Sequence, residues 1–360
     1  MAAGPPLHVL LLTPGFPACE GDTVCVPALQ LFVREAMRRG DARFTVVPLH
    51  YPASRRPYPW HGTVVRPAGG DNRGGPRRPR TWLRAAVAAA SVHGRDPADL
   101  VHGAWLTDAA ALALKLGPLL RRPTVLTVMG QDAEGATPWT EALPLDRATV
   151  VAPCRRAAER LRATCGRDAD RVIPWGVEAP AAEPATWAAR DVDVLGVGAL
   201  EAVKDWPLFL RVVARLVDEG RCRRAVLLGE GGERGRLESY AAELGLGGRL
   251  ELPGLRPRVE ALGWMARSRV LLHTARSEGL GLAMLEALAE GATVVSRPVG
   301  IAEASERWLL ADDEVGLVVA TATALAAPRD TSSRRPWPVE GTARSYGALY
   351  RDLVWPEGRP

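Results

Sequence analysis

The sequence contains no apolar run long enough to cross a bilayer. Hydrophobic residues make up 47% of its 360 residues, and the mean hydropathy is −0.05, values typical of a globular chain with room for two domains. The first apolar stretch, residues 7–12, has neither a basic flank nor a cleavage site of small residues. We therefore interpret it as a first strand rather than a signal peptide.

Cysteines are few and poorly spaced for a structural role. The chain has 5 of them, none in a C-x-x-C pair, and the odd number leaves one without a partner. This pattern argues against a disulfide framework and against a zinc knuckle, and it favours a reducing, cytoplasmic compartment. No Asp-x-Asp motif occurs in a suitable loop, so we expect neither a metal nor a cofactor.

Lysine is nearly absent. Only Lys115 and Lys204 are lysines among the 46 basic residues, and arginine supplies the rest. A lysine at the start of a helix, just after a strand, indicates a position that needs a compact ammonium charge, as many phosphate sites do. Lys204 lies in such a position, and the competing interpretation is a surface lysine that occurs there by chance.

Acidic residues are scarce in the first half. Up to Gly176 there are 23 basic and 15 acidic residues, against 23 and 26 after it. The excess is concentrated in residues 55–84, with eight arginines and one acid, Asp71. That segment suits contact with anionic lipid at the inner face of the membrane or with a phosphorylated acceptor, or else it is a solvated loop. No RNP, helix-turn-helix or zinc-finger pattern accompanies the charge, so nucleic acid is not an expected partner.

The stretch SEGLGLAMLEALAEG, residues 277–291, places two carboxylates, Glu278 and Glu286, around a glycine turn. Apolar spacing predicts a helix from about Gly281 to Gly291, with strands on both sides. A strand, a glycine turn and a helix direct backbone N–H groups and a helix dipole at an anion. Alternatively, Glu286 and Glu290 form the solvent-facing stripe of an ordinary amphipathic helix.

The longer segment SEGLGLAMLEALAEGATVVSRPVGIAE resembles the donor-site signature of the family-4 type of retaining glycosyltransferases, the group 1 glycosyl transferases with the GT-B fold. Leu280 replaces the usual aromatic residue, and Val299 replaces a glycine of the following turn. The resemblance implies that Gly279, Leu280, Gly281 and Leu282 bind the donor. It implies that Glu286 binds the donor too, by accepting hydrogen bonds from the ribose hydroxyls of the nucleotide. It also implies that Glu278 contacts the donor sugar.

Three further segments of the second half resemble motifs of the same family. In GALEAVK, Lys204 keeps the place of a lysine that binds the donor diphosphate, whereas Ala199 replaces an arginine. Gly229 and Gly231 match a glycine loop between strand and helix, and Gly254 matches a turn beside the nucleotide base.

The first half resembles the family less closely. Gly21 is the best match to a glycine loop near the acceptor, and His102 lies where a strand is expected to end, although a lone histidine there is more often structural. Gly130 and Asp132 keep the places of an acceptor-side motif, in which Met129 replaces a histidine. The resemblance implies that Gly21, His102, Gly130 and Asp132 line the acceptor side.

The resemblance predicts an α/β protein of the GT-B class, with two Rossmann-like, doubly wound domains that face each other across a cleft. Residues 1–176 would form the N-terminal acceptor-side domain and residues 177–335 the C-terminal nucleotide-sugar donor domain. Residues 336–360 would form a C-terminal helix that packs back on the N-terminal domain.

The implied function is metal-independent transfer of a sugar from a nucleotide-diphosphate donor to a hydroxyl acceptor, with retention of configuration. Lys204 and Glu278 would be the catalytic residues, because negative charge develops on the departing diphosphate. A glycan, a glycolipid or a small molecule would be the acceptor, and cell-surface polysaccharide or glycolipid synthesis the setting. The alternatives are a catalytically silent GT-B partner protein, consistent with Ala199 and Met129, and a sugar-nucleotide epimerase.

Overall fold

A computed structural model of the chain describes residues 5–72, 78–130, 132, 139, 142–326, 328 and 330–356. It divides into two compact units. The first unit comprises Met1–Gly176 and Val339–Pro360, and the second comprises Val177–Pro338. Each unit is built on its own sheet.

The sheet of the first unit is parallel except at one edge. Its order is β3-β4-β2-β1-β5-β6-β7-β8, and only the β3–β4 pair is antiparallel. The central strand β1 is almost continuously apolar and is buried on both faces, as expected for a parallel sheet. The strands are β1 (Leu7–Gly15), β2 (Ala42–Tyr51), β3 (Tyr58–Trp60), β4 (Thr63–Val65), β5 (Leu100–Ala104), β6 (Thr124–Thr127), β7 (Thr149–Ala152) and β8 (Arg171–Val172).

Helices connect these parallel strands and cover the sheet. Their apolar positions recur at helical spacing, and the buried alanine and leucine side chains of the third helix pack against the sheet in one core cluster. These helices are α1 (Pro27–Arg38), α2 (Arg78–Arg95), α3 (Asp108–Leu120) and α4 (Arg155–Cys165).

The sheet of the second unit is parallel throughout, in the order β11-β10-β9-β12-β13-β14. Numbered within the unit, this order is 3-2-1-4-5-6, that of the Rossmann fold. The order reverses between β9 and β12, where ligands bind in open α/β sheets. The strands are β9 (Val192–Val197), β10 (Ala225–Leu228), β11 (Leu250–Gly254), β12 (Ser268–His273), β13 (Thr293–Ser296) and β14 (Trp308–Leu310).

The helices of the second unit follow its strands in alternation. The eight-residue helix after β12 begins directly after Gly281, whose φ is 91°, a conformation that side chains other than glycine rarely adopt. The helices are α5 (Trp206–Asp218), α6 (Arg234–Glu243), α7 (Arg258–Ala266), α8 (Leu282–Ala289) and α9 (Glu314–Leu325).

The last helix, α10 (Val339–Val354), belongs to the first unit although it follows the second unit in sequence. It packs beside α1. Its Tyr346 and Tyr350 side chains are both 0% exposed, and the Tyr346 ring lies 4.7 Å from that of Phe32, centroid to centroid. The first unit is therefore assembled from two separate stretches of chain.

Among the residues that the structure describes, no helix has both the length and the apolar character that a membrane span requires.

Candidate functional site

The candidate donor residues of the second unit follow the carboxyl ends of its strands. Lys204 ends a short 3₁₀ helix that follows β9. Glu278 lies in the connection between β12 and α8. Because β9 and β12 are the neighbours between which the strand order reverses, the two connections meet at the switch point of the sheet.

Lys204, Glu278 and His273 form one charged group. Glu278 Oε1 accepts hydrogen bonds from Lys204 Nζ and from His273 Nε2, the latter at 2.9 Å. The side chains of Lys204 and Glu278 are 20% and 15% exposed, and that of His273 is 3% exposed. A lysine and a carboxylate predicted separately from the sequence are therefore in direct contact.

The surroundings of Glu278 favour its ionised form. Burial alone would raise the pKa of the carboxyl group, but the hydrogen bond and charge of His273 and the charge of Lys204 outweigh it and hold the pKa at about 2. Glu278 is therefore a carboxylate at neutral pH, and its negative charge lies against the only lysine of this unit.

Backbone contacts fix the position of Lys204 relative to the connection that carries Glu278. The Thr274 hydroxyl donates to the Lys204 carbonyl at 2.9 Å, and Arg276 N–H donates to the Val203 carbonyl at 2.9 Å. Ala199, which replaces the arginine of the family motif, accepts a hydrogen bond from Trp206 Nε1 through its carbonyl at 2.8 Å. These hydrogen bonds hold the backbone at Lys204 beside the connection that carries Glu278.

The predicted glycine loop after β10 packs closely against the loop after β9. A Cβ on Gly229 would lie 1.8 Å from the Gly198 carbonyl oxygen, and one on Gly231 would lie 2.5 Å from that of Leu200. Since such distances are impossible for real side chains, both positions require glycine. Gly254, at the end of β11, accepts from Gly229 N–H at 3.2 Å, so the three predicted glycines belong to adjacent loops.

The turn before α8 is formed as its sequence predicts. Leu280 is 8% exposed, and its carbonyl accepts a hydrogen bond from Ile301 N–H at 2.9 Å. Gly279 precedes this anchored residue, and Gly281 and Leu282 follow it into the first turn of α8. The backbone N–H groups at the start of α8 carry the positive end of the helix dipole.

Glu286 lies on α8 in the interior, paired with an arginine. It is 8% exposed, and Arg258 Nε, at the start of α7, donates to its Oε1 at 2.8 Å. Arg258 Nη1 also donates to Glu178 at 3.2 Å. Burial raises the pKa of Glu286, and the charge and hydrogen bond of Arg258 act against that shift.

The alternative interpretation of this helix as an ordinary amphipathic one is wrong. It required Glu286 and Glu290 to face solvent, yet both are 8% exposed. A buried carboxylate is stable only when other groups satisfy it, and Arg258 does this for Glu286.

In the first unit, His102 is buried and surrounded by hydroxyl groups. It is 0% exposed. Its Nδ1 shares a hydrogen bond with the Tyr350 hydroxyl at 2.7 Å and its Nε2 one with Thr127 Oγ1 at 2.7 Å. Burial lowers its pKa from 6.5 to about 3, so the ring is neutral. Both ring nitrogens bind protein groups, which favours the structural role that a lone histidine more often has.

The Asp132 carboxylate accepts hydrogen bonds from the backbone around it. It is 2% exposed and accepts hydrogen bonds from the N–H groups of Leu106, Met129 and Gly130, the last at 2.6 Å. Gly130 is thus held in the turn after β6. Gly21 lies in the exposed loop after β1. Of the four acceptor-side candidates, Gly130 and Asp132 are therefore joined directly by a hydrogen bond.

Two residues of the donor site were missed by sequence analysis. His273 closes the apolar strand β12, and a polar residue at that place, five positions before Glu278, was a usable signal. Arg258 gave none, because a charged residue at the start of a helix looks like an ordinary surface residue. Within the described ranges, no group of three or more His, Cys, Asp or Glu side chains is arranged to hold a metal ion.

The family described as "Glycosyl transferases group 1" matches residues 191–328, which lie within the second unit. The 2-deoxystreptamine glucosyltransferase of Streptomyces kanamyceticus is 28% identical over 254 residues, which are 61% of this chain and 65% of that protein.

Several solved structures have the same fold. Sucrose-phosphate synthase from Thermosynechococcus elongatus matches with a TM-score of 0.69 at 17% identity, over 96% of this chain and 99% of that one. α,α-Trehalose-phosphate synthase (UDP-forming) from Burkholderia vietnamiensis matches with a TM-score of 0.70 at 12% identity, over 99% of both chains. HepE of Anabaena, in complex with UDP and glucose, matches with a TM-score of 0.65 at 16% identity, over 96% of this chain and 95% of that one.

These likenesses extend over both units, and the family match falls on the unit that holds Lys204, Glu278 and Glu286. The predicted α/β fold with two Rossmann-like domains is confirmed. Residues 191–328 thus resemble the family described as "Glycosyl transferases group 1", and the whole chain has the two-domain α/β fold of these solved structures.

Proposed function

We propose that the chain transfers a sugar from a nucleotide-diphosphate donor to a hydroxyl group of an acceptor, with retention of anomeric configuration. The observation that carries the proposal is the contact of Lys204 with Glu278 at the switch point of the second sheet, beside the N-terminus of α8. A cation and free N–H groups at one place suit a diphosphate.

The chemistry assigns Lys204 to the leaving group. As the bond between sugar and phosphate breaks, negative charge accumulates on the diphosphate. The ammonium of Lys204 and the N–H groups that follow Gly281 stabilise that charge without needing a metal. Because Glu278 and the backbone already orient Lys204, little rearrangement is needed when the charge develops.

The two carboxylates have separate tasks in this proposal. Glu286, which is paired with Arg258, accepts hydrogen bonds from the ribose hydroxyls. Glu278 accepts one from a hydroxyl of the transferred sugar while it orients Lys204. Gly229, Gly231 and Gly254 let the loops at the carboxyl ends of β9, β10 and β11 pack closely, and the nucleotide binds beside these loops.

The donor is proposed to be a UDP-sugar, since HepE of Anabaena is described in complex with UDP and glucose. The acceptor is proposed to be a glycan or a glycolipid of the cell surface, and the protein to act in the cytoplasm. The curated relative favours a second candidate, a small polyhydroxylated compound, because its name specifies 2-deoxystreptamine. The alignment covers 65% of that protein. Because it leaves out the rest of the relative, its acceptor is carried over to this chain only as a proposal.

Incubation with UDP-, GDP- and ADP-sugars, followed by an assay for free nucleotide diphosphate, tests the proposal. Wild type should release one diphosphate, and a Glu286→Gln variant should release it with a raised KM because the ribose loses an ionic hydrogen bond. Proton NMR of the product with a suitable acceptor should show the anomeric configuration of the donor. A thermal shift with UDP should exceed those with GDP and ADP, since the tighter ligand stabilises more.

The same assay discriminates the alternatives. An epimerised donor recovered from the mixture would indicate an epimerase. If no nucleotide stabilises the protein and no diphosphate is released, a silent partner protein is favoured. An epimerised donor, or the lack of both binding and release, would refute the proposal.

A further inference from the structure

A polar cavity lies in the first unit, which contains none of the candidate donor residues. It has a volume of about 330 Å³ and lies where the chain leaves β2 and enters α2. Three arginines line it, Arg55, Arg80 and Arg84, together with one carboxylate, Asp71. The remaining lining residues are Ala53, Gly69, Gly70 and Thr81. We call this the arginine cavity.

The three arginine side chains line the same cavity. Within the described part of the chain, none of the three forms an ion pair with a carboxylate. Arg84 donates to the Thr81 hydroxyl at 3.2 Å, and its Nε is buried without a hydrogen-bond partner among the described residues. Burial and the like charges of Arg55 and Arg80 lower the pKa of Arg84. Such a cluster is unfavourable by itself, and an anion would relieve the repulsion.

The backbone around the cavity is shaped to bring these side chains together. Gly69 has a φ of 62°, and a Cβ there would lie 2.8 Å from both the Ala53 carbonyl oxygen and Arg55 Cγ. A larger residue would therefore displace the backbone at Ala53 or the stem of Arg55. Arg80 and Arg84 are one turn apart on α2, so they project from the same face.

Helix α2 adds to the positive potential. Arg80 lies in its first turn, which has no acidic residue. The N-terminus of a helix carries a partial positive charge, so an arginine there is unfavourable for the helix itself and favourable for an anion.

We propose that the arginine cavity binds the phosphate group of a phosphorylated ligand. Arginine presents paired N–H donors that match phosphate oxygens, and three of them balance a phosphate dianion even with Asp71 in the wall. The volume lies at the small end of the range for ligand pockets, about 300–1,000 Å³, so the phosphate and part of the group it esterifies fit. The phosphate comes from a soluble phosphate ester or from the headgroup of an anionic lipid.

The experiment compares wild type with an Arg55→Gln/Arg80→Gln variant. Calorimetric titration with glucose 6-phosphate should show binding by wild type at 150 mM salt, weakened at least tenfold in the variant. Glucose, which lacks the phosphate, should bind neither protein. Arg95→Gln is the matched control, because Arg95 is exposed in the last turn of the same helix, about 22 Å from Arg80 at 1.5 Å per residue. It should bind as wild type does.

Sedimentation with vesicles identifies the source of the phosphate. If wild type but not the double variant sediments with phosphatidylglycerol vesicles, and glucose 6-phosphate releases it, the ligand is a lipid headgroup. If vesicles are not bound while glucose 6-phosphate is, the ligand is a soluble ester. Equal affinity of wild type and double variant for both probes overturns the inference.

The inference does not depend on the proposed transfer reaction. UDP binding serves as the internal reference, because the double variant leaves every donor residue in place and should keep its affinity for UDP. If wild type does not bind UDP, the proposed donor is refuted. If wild type and double variant bind the phosphate ligand equally, the proposed role of the arginine cavity is refuted.

Discussion

The two units place a histidine on corresponding strands and surround it differently. His102 lies on β5 and His273 on β12. Each of these strands pairs with the first strand of its sheet, β1 or β9, at the point where the strand order reverses. His102 is bound by the neutral hydroxyls of Thr127 and Tyr350, whereas His273 is bound by the carboxylate of Glu278, which also binds Lys204. The histidine at this position therefore joins neutral groups of the core in the first unit, whereas in the second unit it binds a charged carboxylate.

Removal of the lysine should break the charged arrangement most completely. We expect Lys204→Ala to lower kcat by about 100- to 1,000-fold, since a preorganised donor to a developing charge is worth about that much. The assay is release of nucleotide diphosphate. Lys115→Ala is the matched control, because Lys115 is the other lysine of the chain and is exposed on α3; a similar loss in both variants would contradict the assignment.

Breaking the buried pair of Arg258 and Glu286 should cost stability in the second unit. Arg258→Leu leaves a carboxylate unpaired in the interior, for which we expect a loss of about 3 kcal/mol in the free energy of unfolding. Urea titration measures it. Arg236→Leu removes an exposed i,i+3 pair with Glu233 and should cost under about 0.5 kcal/mol; equal effects would show that the Arg258 pair is not buried in solution.

Acidification should separate the two histidine sites. The folded pKa of His102 is about 3 against 6.5 in the unfolded chain, so in this window only the unfolded chain gains the proton. The contribution of His102 to the free energy of unfolding is complete above pH 6.5. It is lost as the pH falls, and the loss reaches about 2 kcal/mol at pH 5. For Glu278, with a folded pKa of about 2 against 4.5, the loss begins only below about pH 4.5.

Urea titrations of wild type, His102→Gln and Glu278→Gln at pH 7, 6 and 5 measure this difference. The stability gap between wild type and His102→Gln should narrow over this range, and the gap between wild type and Glu278→Gln should stay nearly constant. Parallel behaviour of the two variants would mean that His102 is protonated in the folded protein.

The smallest effect is expected where one hydrogen bond of the charged group is removed. His273→Ala takes away one donor to Glu278 while Lys204 remains, so we expect kcat/KM to fall about five- to tenfold. His273→Gln, whose amide can donate in the same direction, should recover most of the activity. Failure of that recovery, with the fold intact by circular dichroism, would assign His273 a role other than a donor to Glu278.

Sequence reasoning succeeded where local pattern and chemistry agree. The continuous apolar strands and glycine-ended helices predicted the two parallel sheets, and the shortage of lysine drew attention to Lys204. It failed where a contact joins residues distant in sequence. Nothing near Arg258 shows that its guanidinium reaches Glu286 on another helix, 28 positions later.

The first unit was harder to interpret for the same reason. His102 looked like an acceptor residue because it lies near a strand end, yet its partner Tyr350 is 248 positions away. A hydrogen bond between two such distant residues leaves no periodic signal. Asp132 also kept the place of a family motif, while its contacts are with the N–H groups of its own turn and of Leu106.

The discontinuous make-up of the first unit affects the order of events on the ribosome. Translation delivers β1–β8 long before α10, so β5 emerges with His102 lacking the hydroxyl of Tyr350. The second unit, continuous in sequence from Val177 to Pro338, has all its strands available earlier than the first unit has its last helix. The part of the protein made first is therefore the part completed last, and in the interval Phe32 and His102 lack their contacts with Tyr346 and Tyr350.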